Sequence, residues 1–77
     1  MSLIVNNLMV MIFEKYCEEG NRELRIDLLY KFPHDEGEKA MNELFRDGYI
    51  QDLHDKRGQT DYKIYILDKL LKHFNAL

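Results

Sequence analysis

Three sets of side chains in this 77-residue chain have types and spacing that could do chemistry. The first is Lys39, Asn42 and Arg46, at i, i+3 and i+7, with Asp35 four residues before Lys39. On a helix these fall on one face. Arg and Lys suit the guanine edge and Asn the adenine edge, so the stripe has the chemistry of base reading. Asp35, Glu36, Glu38 and Glu43 lie on or beside that face and would meet phosphates unfavourably. The plainer reading is a solvated surface, with Asp35, Glu36 and Glu38 capping the helix and offsetting its dipole. The second set is Lys56-Arg57-Gly58 in a polar stretch, a phosphate contact if it forms a hairpin tip. Asp55 and Asp61 dilute it, and Lys63 lies just beyond. The third set is Cys17 with His34, His54 and His73. Their dispersal matches no zinc-ligand spacing, so they predict neither metal nor cofactor. Surface histidines are the reading that remains.

Catalysis finds no pattern to rest on. The chain has no glycine-rich phosphate loop and no nucleophile elbow. Asp52 and Asp55 are close in sequence, but a strand end and loop offer no buried site to raise a carboxyl pKa. The expectation is a non-enzyme.

Those residues need elements to position them. Val5, Leu8, Met9, Ile12, Phe13 and Tyr16 recur at helical spacing and predict a first helix over 5–19. Asn6 or Asn7 could cap it, and Gly20 would end it in a left-handed turn. Arg22-Glu23-Leu24 reads as a short extended link. Ile26, Leu29 and Phe32 predict a second, two-turn helix stopped by Pro33. A third helix is expected over 36–47, capped by Asp35 with Glu38 three residues on, and burying Ala40, Met41, Leu44 and Phe45. After Gly48 the period changes to two, predicting strands at about 49–53 and 62–67 around a hairpin loop. A last helix is expected over 68–76, with Asp68 at its start.

The order helix, link, helix, turn, helix, hairpin, helix resembles that of winged helix-turn-helix domains. Leu44-Phe45-Arg46-Asp47-Gly48-Tyr49-Ile50 is similar to the junction where their recognition helix meets the first wing strand. Tyr62-Lys63-Ile64-Tyr65-Ile66 resembles the returning strand. The resemblance covers nearly the whole chain and implies one mainly α domain over 1–77 with a two-stranded wing and a C-terminal helix. It also implies a regulator of prokaryotic or phage type that binds double-stranded DNA. The third helix would enter the major groove through Lys39, Asn42 and Arg46, and Lys56, Arg57 and Lys63 would meet the backbone. The alternative is a winged-helix module that binds protein and no DNA. Net charge favours it: eleven basic against fourteen acidic residues give −3, where DNA binders usually carry a positive footprint. Residues 1–38 hold four basic and eight acidic residues.

Apolar surplus adds a further expectation. Leu8 to Phe13 is unbroken apolar sequence, and a core of this length supplies only ~3–5 kcal/mol. A homodimer through the first and last helices, using Leu8, Met11, Leu70 and Phe74, would cover the excess. Tyr30 and Tyr65 are expected at the surface. That apolar run is far short of the ~20 residues of a membrane span. The lone Cys17 reads as a small core hydrophobe in a reducing compartment, which makes the cytoplasm the expected location.

Overall fold

The computed structural model describes residues 2–77, with His34 through its backbone alone, so the exposure expected of the His34 side chain lies outside the described residues. Helix α1 (Leu3–Glu19) starts two residues earlier than its apolar spacing suggests. Ser2, not Asn6 or Asn7, is the cap, and its hydroxyl accepts from the Val5 N–H at 3.2 Å. Gly20 ends the helix at φ +66°, donating its N–H to the Tyr16 carbonyl at 2.8 Å. Val5, Leu8, Met9 and Ile12 form the buried face. Cys17 lies off that face and is exposed, which corrects its reading as a core residue.

The main departure from expectation follows. There is no helix over 26–32. Strand β1 (Glu23–Asp27) occupies the link and the first residues of that segment, and its burial alternates. Leu24, Ile26 and Leu28 point inward at a period of two. Ile26, Leu29 and Phe32 also fit a period near 3.6, so Ile26 serves both patterns. Pairing with another strand decides between them. The chain then turns tightly. The Asp27 carboxylate accepts from the Leu29 N–H at 2.9 Å, and the Lys31 N–H reaches the Leu28 carbonyl at 3.0 Å. Tyr30 sits at this turn at φ +62°, 95% exposed.

Helix α2 (His34–Arg46) has Pro33 at its cap position, with Asp35 and Glu36 in its first turn rather than Asp35 capping from outside. Ala40, Met41 and Leu44 are buried. Gly37 is buried too, and a Cβ there would stand 3.3 Å from Phe32 Cβ and 3.4 Å from Leu28 Cδ1. The turn packs directly on α2 at that point.

Strands β2 (Ile50–Asp52) and β3 (Asp61–Ile66) pair antiparallel, with Gln51 opposite Tyr65. That is the expected hairpin. It belongs to a three-stranded antiparallel sheet of order β1-β3-β2, because β1 pairs with β3 from Glu23↔Tyr65 to Asp27↔Asp61. The expected two-stranded wing therefore becomes part of a larger sheet, and the architecture is mixed α/β, with three helices among the described residues. Helix α3 (Asp68–His73) is shorter than expected, starts from Leu67 and buries Leu70 and Leu71. One face of the sheet, carrying Leu24, Ile26, Ile50, Tyr62, Ile64 and Ile66, joins the helices in one core. Each fully buried aliphatic side chain contributes roughly 1.5–3 kcal/mol. The opposite face carries Arg25, Lys63 and Tyr65.

Candidate nucleic-acid interface

Helix α2 does place Lys39, Asn42 and Arg46 on one exposed face, with Asp35 beside them. Its buried residues, Gly37, Ala40, Met41 and Leu44, recur at helical spacing on the other side, which turns these four outward. The charges around them decide what the face can bind. Asp35, Glu36, Glu38, Glu43 and Asp47 oppose Lys39 and Arg46, five carboxylates to two cations. Arg46 is already engaged: its Nε donates to Asp47 Oδ1 at 3.1 Å, and Nη2 lies 3.6 Å from Glu43 Oε1. The Asp47 carboxylate holds the guanidinium pKa above its ordinary value. Lys39 lines a shallow groove shared with Ser2, Ile4, Val5, Glu36 and Glu43, between the start of α1 and α2. A phosphate approaching α2 would meet net negative charge at contact range.

The β2–β3 loop is tightened near its tip. Arg57 and Asp61 bond backbone to backbone at 2.8 and 3.3 Å, and Gly58 takes φ +64°. Lys56 is exposed, with its Nζ 4.5 Å above the Tyr62 ring. Arg57 is exposed, and its side chain makes no ion pair among the described residues. Lys63 sits on the opposite sheet face from Tyr62, over which Lys56 lies. It is half-buried on the open sheet face, with Nζ 3.9 Å from Asp55.

Sequence reasoning missed the residue that organises that face, Arg25. Its Nη2 lies 3.3 Å from Asp55 Oδ1 and its Nε 3.3 Å from Asp61 Oδ1. Nη1 also donates to the Asp55 carbonyl at 3.1 Å. Asp55 and Asp61, which diluted the basic loop in the sequence, thus have cationic partners of their own. The strand-like alternation of residues 23–28 was the signal that could have placed Arg25 on the sheet.

The expected dimer residues do not share an exposed face. Leu8 and Leu70 are fully buried within one chain. Met11 and Phe74 are half-buried against the same core. Phe74 stacks on Phe13 with ring centroids 4.4 Å apart, so the terminal helix covers α1 in the same molecule. Leu8 and Leu70 are core residues, not interface residues. Among the described residues no group of three His, Cys, Asp or Glu side chains could hold a metal ion, and no helix is long and apolar enough to cross a membrane. No protein-family model matches the chain, and no curated protein or solved structure matches it significantly.

Proposed function

We propose that this chain is a winged-helix-like module that binds protein rather than DNA. The observation that carries the reading is the charge on α2. The helix that would enter a major groove carries four carboxylates, and Asp47 at its C-terminal cap makes five, against two cations, with Arg46 bound to Glu43 and Asp47. Carboxylates at the N-terminal end of a recognition helix would lie deepest in the groove and oppose the phosphates. The winged-helix likeness is supported by chain order and pairing. A helix, a strand, a turn, a second helix and two antiparallel strands follow in that order, and the first strand joins the last. In this reading the turn at 28–33 stands where the middle helix of a helix-turn-helix would be.

One observation favours the second reading, a DNA-binding regulator: Lys56 and Arg57 are exposed side by side near the loop tip. Two phosphate contacts would give a salt slope of only about −2. Fluorescence anisotropy with a pool of random duplexes about two turns long, at ~20 mM salt, separates the readings. The module reading expects no binding up to about 100 µM protein, the weak end of ordinary nonspecific affinity. Binding that weakens with salt and with Arg46→Ala or Lys56→Ala/Arg57→Ala would restore the DNA reading.

A further inference from the structure

Strand β1 is an edge strand, because the sheet runs β1-β3-β2. Its pairing parity shows which backbone groups are left over. The Leu28 N–H donates to the Thr60 carbonyl at 3.0 Å, and the Arg22 carbonyl accepts from the Ile66 N–H at 2.9 Å. In an antiparallel pair, bonding positions alternate. Even-numbered residues of β1 therefore bond toward β3, and Glu23, Arg25 and Asp27 direct their N–H and C=O groups away from the sheet. Two of these groups have local partners. Asn21 Oδ1 accepts from the Glu23 N–H at 3.0 Å, and Lys15 Nζ donates to the Arg25 carbonyl. An ammonium thus stands where the N–H of another strand would.

A groove of about 340 Å³ runs along this edge, within the volume range of ligand sites. Met11, Glu14, Lys15 and Glu18 of α1 form one wall, and Ile26, Asp27 and Lys31 the other. Glu14 and Glu18 are exposed and make no ion pair among the described residues. The strand itself reads acid, apolar, base, apolar, acid from Glu23 to Asp27. Its base, Arg25, is already held by Asp55 and Asp61, whereas the two end carboxylates make no ion pair among the described residues, Asp27 being bound only by the neutral Leu29 N–H and Thr60 hydroxyl.

We infer that the free edge of β1 takes up an extended peptide segment as a fourth, antiparallel strand, with basic side chains opposite Glu23 and Asp27 and small apolar ones beside Ile26 and Met11. This deepens the protein-binding reading and rests on it. Backbone pairing supplies affinity in such strand addition, and alternate side chains supply selectivity. A second copy of this chain fits poorly: registers that set Glu23 or Asp27 against Arg25 call on a guanidinium that Asp55 and Asp61 already hold. Pairing β1 with itself about Arg25 sets Glu23 against Asp27 of the other copy, like charges directly opposite. Lys15 guards the edge until a peptide N–H replaces its ammonium, a common protection of exposed strands.

The test is a titration of the ¹⁵N-labelled full chain with acetyl-Lys-Val-Thr-Val-Lys-amide, whose threonine aligns with Arg25. Binding moves the Arg25 and Asp27 amide signals and leaves those of α2 in place. N-methylation of the threonine, whose N–H faces β1, weakens binding at least about tenfold, a loss of one edge bond and its geometry. N-methylation of a valine, whose N–H points outward, changes it little. Glu23→Lys weakens binding about threefold to fivefold, while Lys15→Met tightens it by freeing the Arg25 carbonyl. Equal binding of the two N-methylated peptides, or an unmoved Arg25 amide at saturating peptide, overturns the inference. The duplex titration is independent of it. Silence toward both probes removes the β1 site and leaves the protein-binding reading, whereas duplex binding removes that reading whatever the peptide does.

Discussion

The Asp27 carboxylate shows how one side chain joins two parts of this fold. Its Oδ1 accepts from the Leu29 N–H, which shapes the turn, and from Thr60 Oγ1, also at 2.9 Å, which ties that turn to the loop entering β3. Both bonds favour the ionised form, so the carboxyl titrates below its ordinary value, with the Leu29 bond the larger cause. A group whose folded pKa is depressed stabilises the fold above its unfolded pKa, and that stability is lost as pH falls through the folded value. Urea midpoints measured stepwise downward from about pH 5 will therefore decline, and Asp27→Asn will flatten part of that decline while keeping an acceptor oxygen. Identical pH profiles for the two proteins would mean the bonds contribute nothing. At this scale the sequence was partly legible. The exposure of Lys39, Asn42, Arg46, Lys56 and Arg57 followed from helical and hairpin periodicity. The Glu43–Arg46 pair follows from i, i+3 spacing. The ion pairs of Arg25 with Asp55 and Asp61 join residues some thirty or more positions apart, and no local pattern announces them.

At the scale of elements, α1, α2 and β3 were readable because each has an uninterrupted period, and the three-residue β2 was placed by the change of period after Gly48. The segment 22–33 was not. Leu24, Ile26, Leu28, Leu29 and Phe32 satisfy a strand and a short helix about equally, and two-turn helices have little intrinsic stability. The partner strand settles the matter from about forty residues downstream, through Leu24↔Ile64 and Ile26↔Tyr62. The helix ends were misplaced for a related reason. Several polar residues could cap α1, and Ser2 wins by the geometry of its hydroxyl. The turn that replaces the expected helix depends on Gly37, where Phe32 and Leu28 come within 3.4 Å of a would-be Cβ. Gly37→Val should push the turn off α2 and cost about 1–3 kcal/mol, an overpacking loss. It will appear as a lower urea midpoint at unchanged m-value. Unchanged stability would show that the turn does not rely on that contact.

For the whole molecule, the apolar surplus that suggested a dimer is largely used inside one chain. Leu8, Leu70 and Leu71 lie in a shared core, and Phe13 stacks on Phe74. The chain is therefore expected to sediment as a 9.3 kDa monomer at about 100 µM, a concentration at which only an association stronger than about −5.5 kcal/mol would show. A mass of twice that value would return α1 to an interface role, through its exposed residues such as Val10 rather than through Leu8. The charge pattern is likewise a property of the molecule. The first half is acidic, the exposed face of α2 shares that sign, and the two exposed cations of the loop, Lys56 and Arg57, are too few to reverse it. The most direct test of the account is an amide chemical-shift map of the labelled chain with a saturating random duplex pool at ~20 mM salt, where electrostatic contacts are least screened. A module that binds no DNA leaves the signals over 34–46 and 53–60 unmoved. Concerted, salt-sensitive shifts of Lys39, Asn42, Arg46, Lys56 and Arg57 amides would contradict that reading.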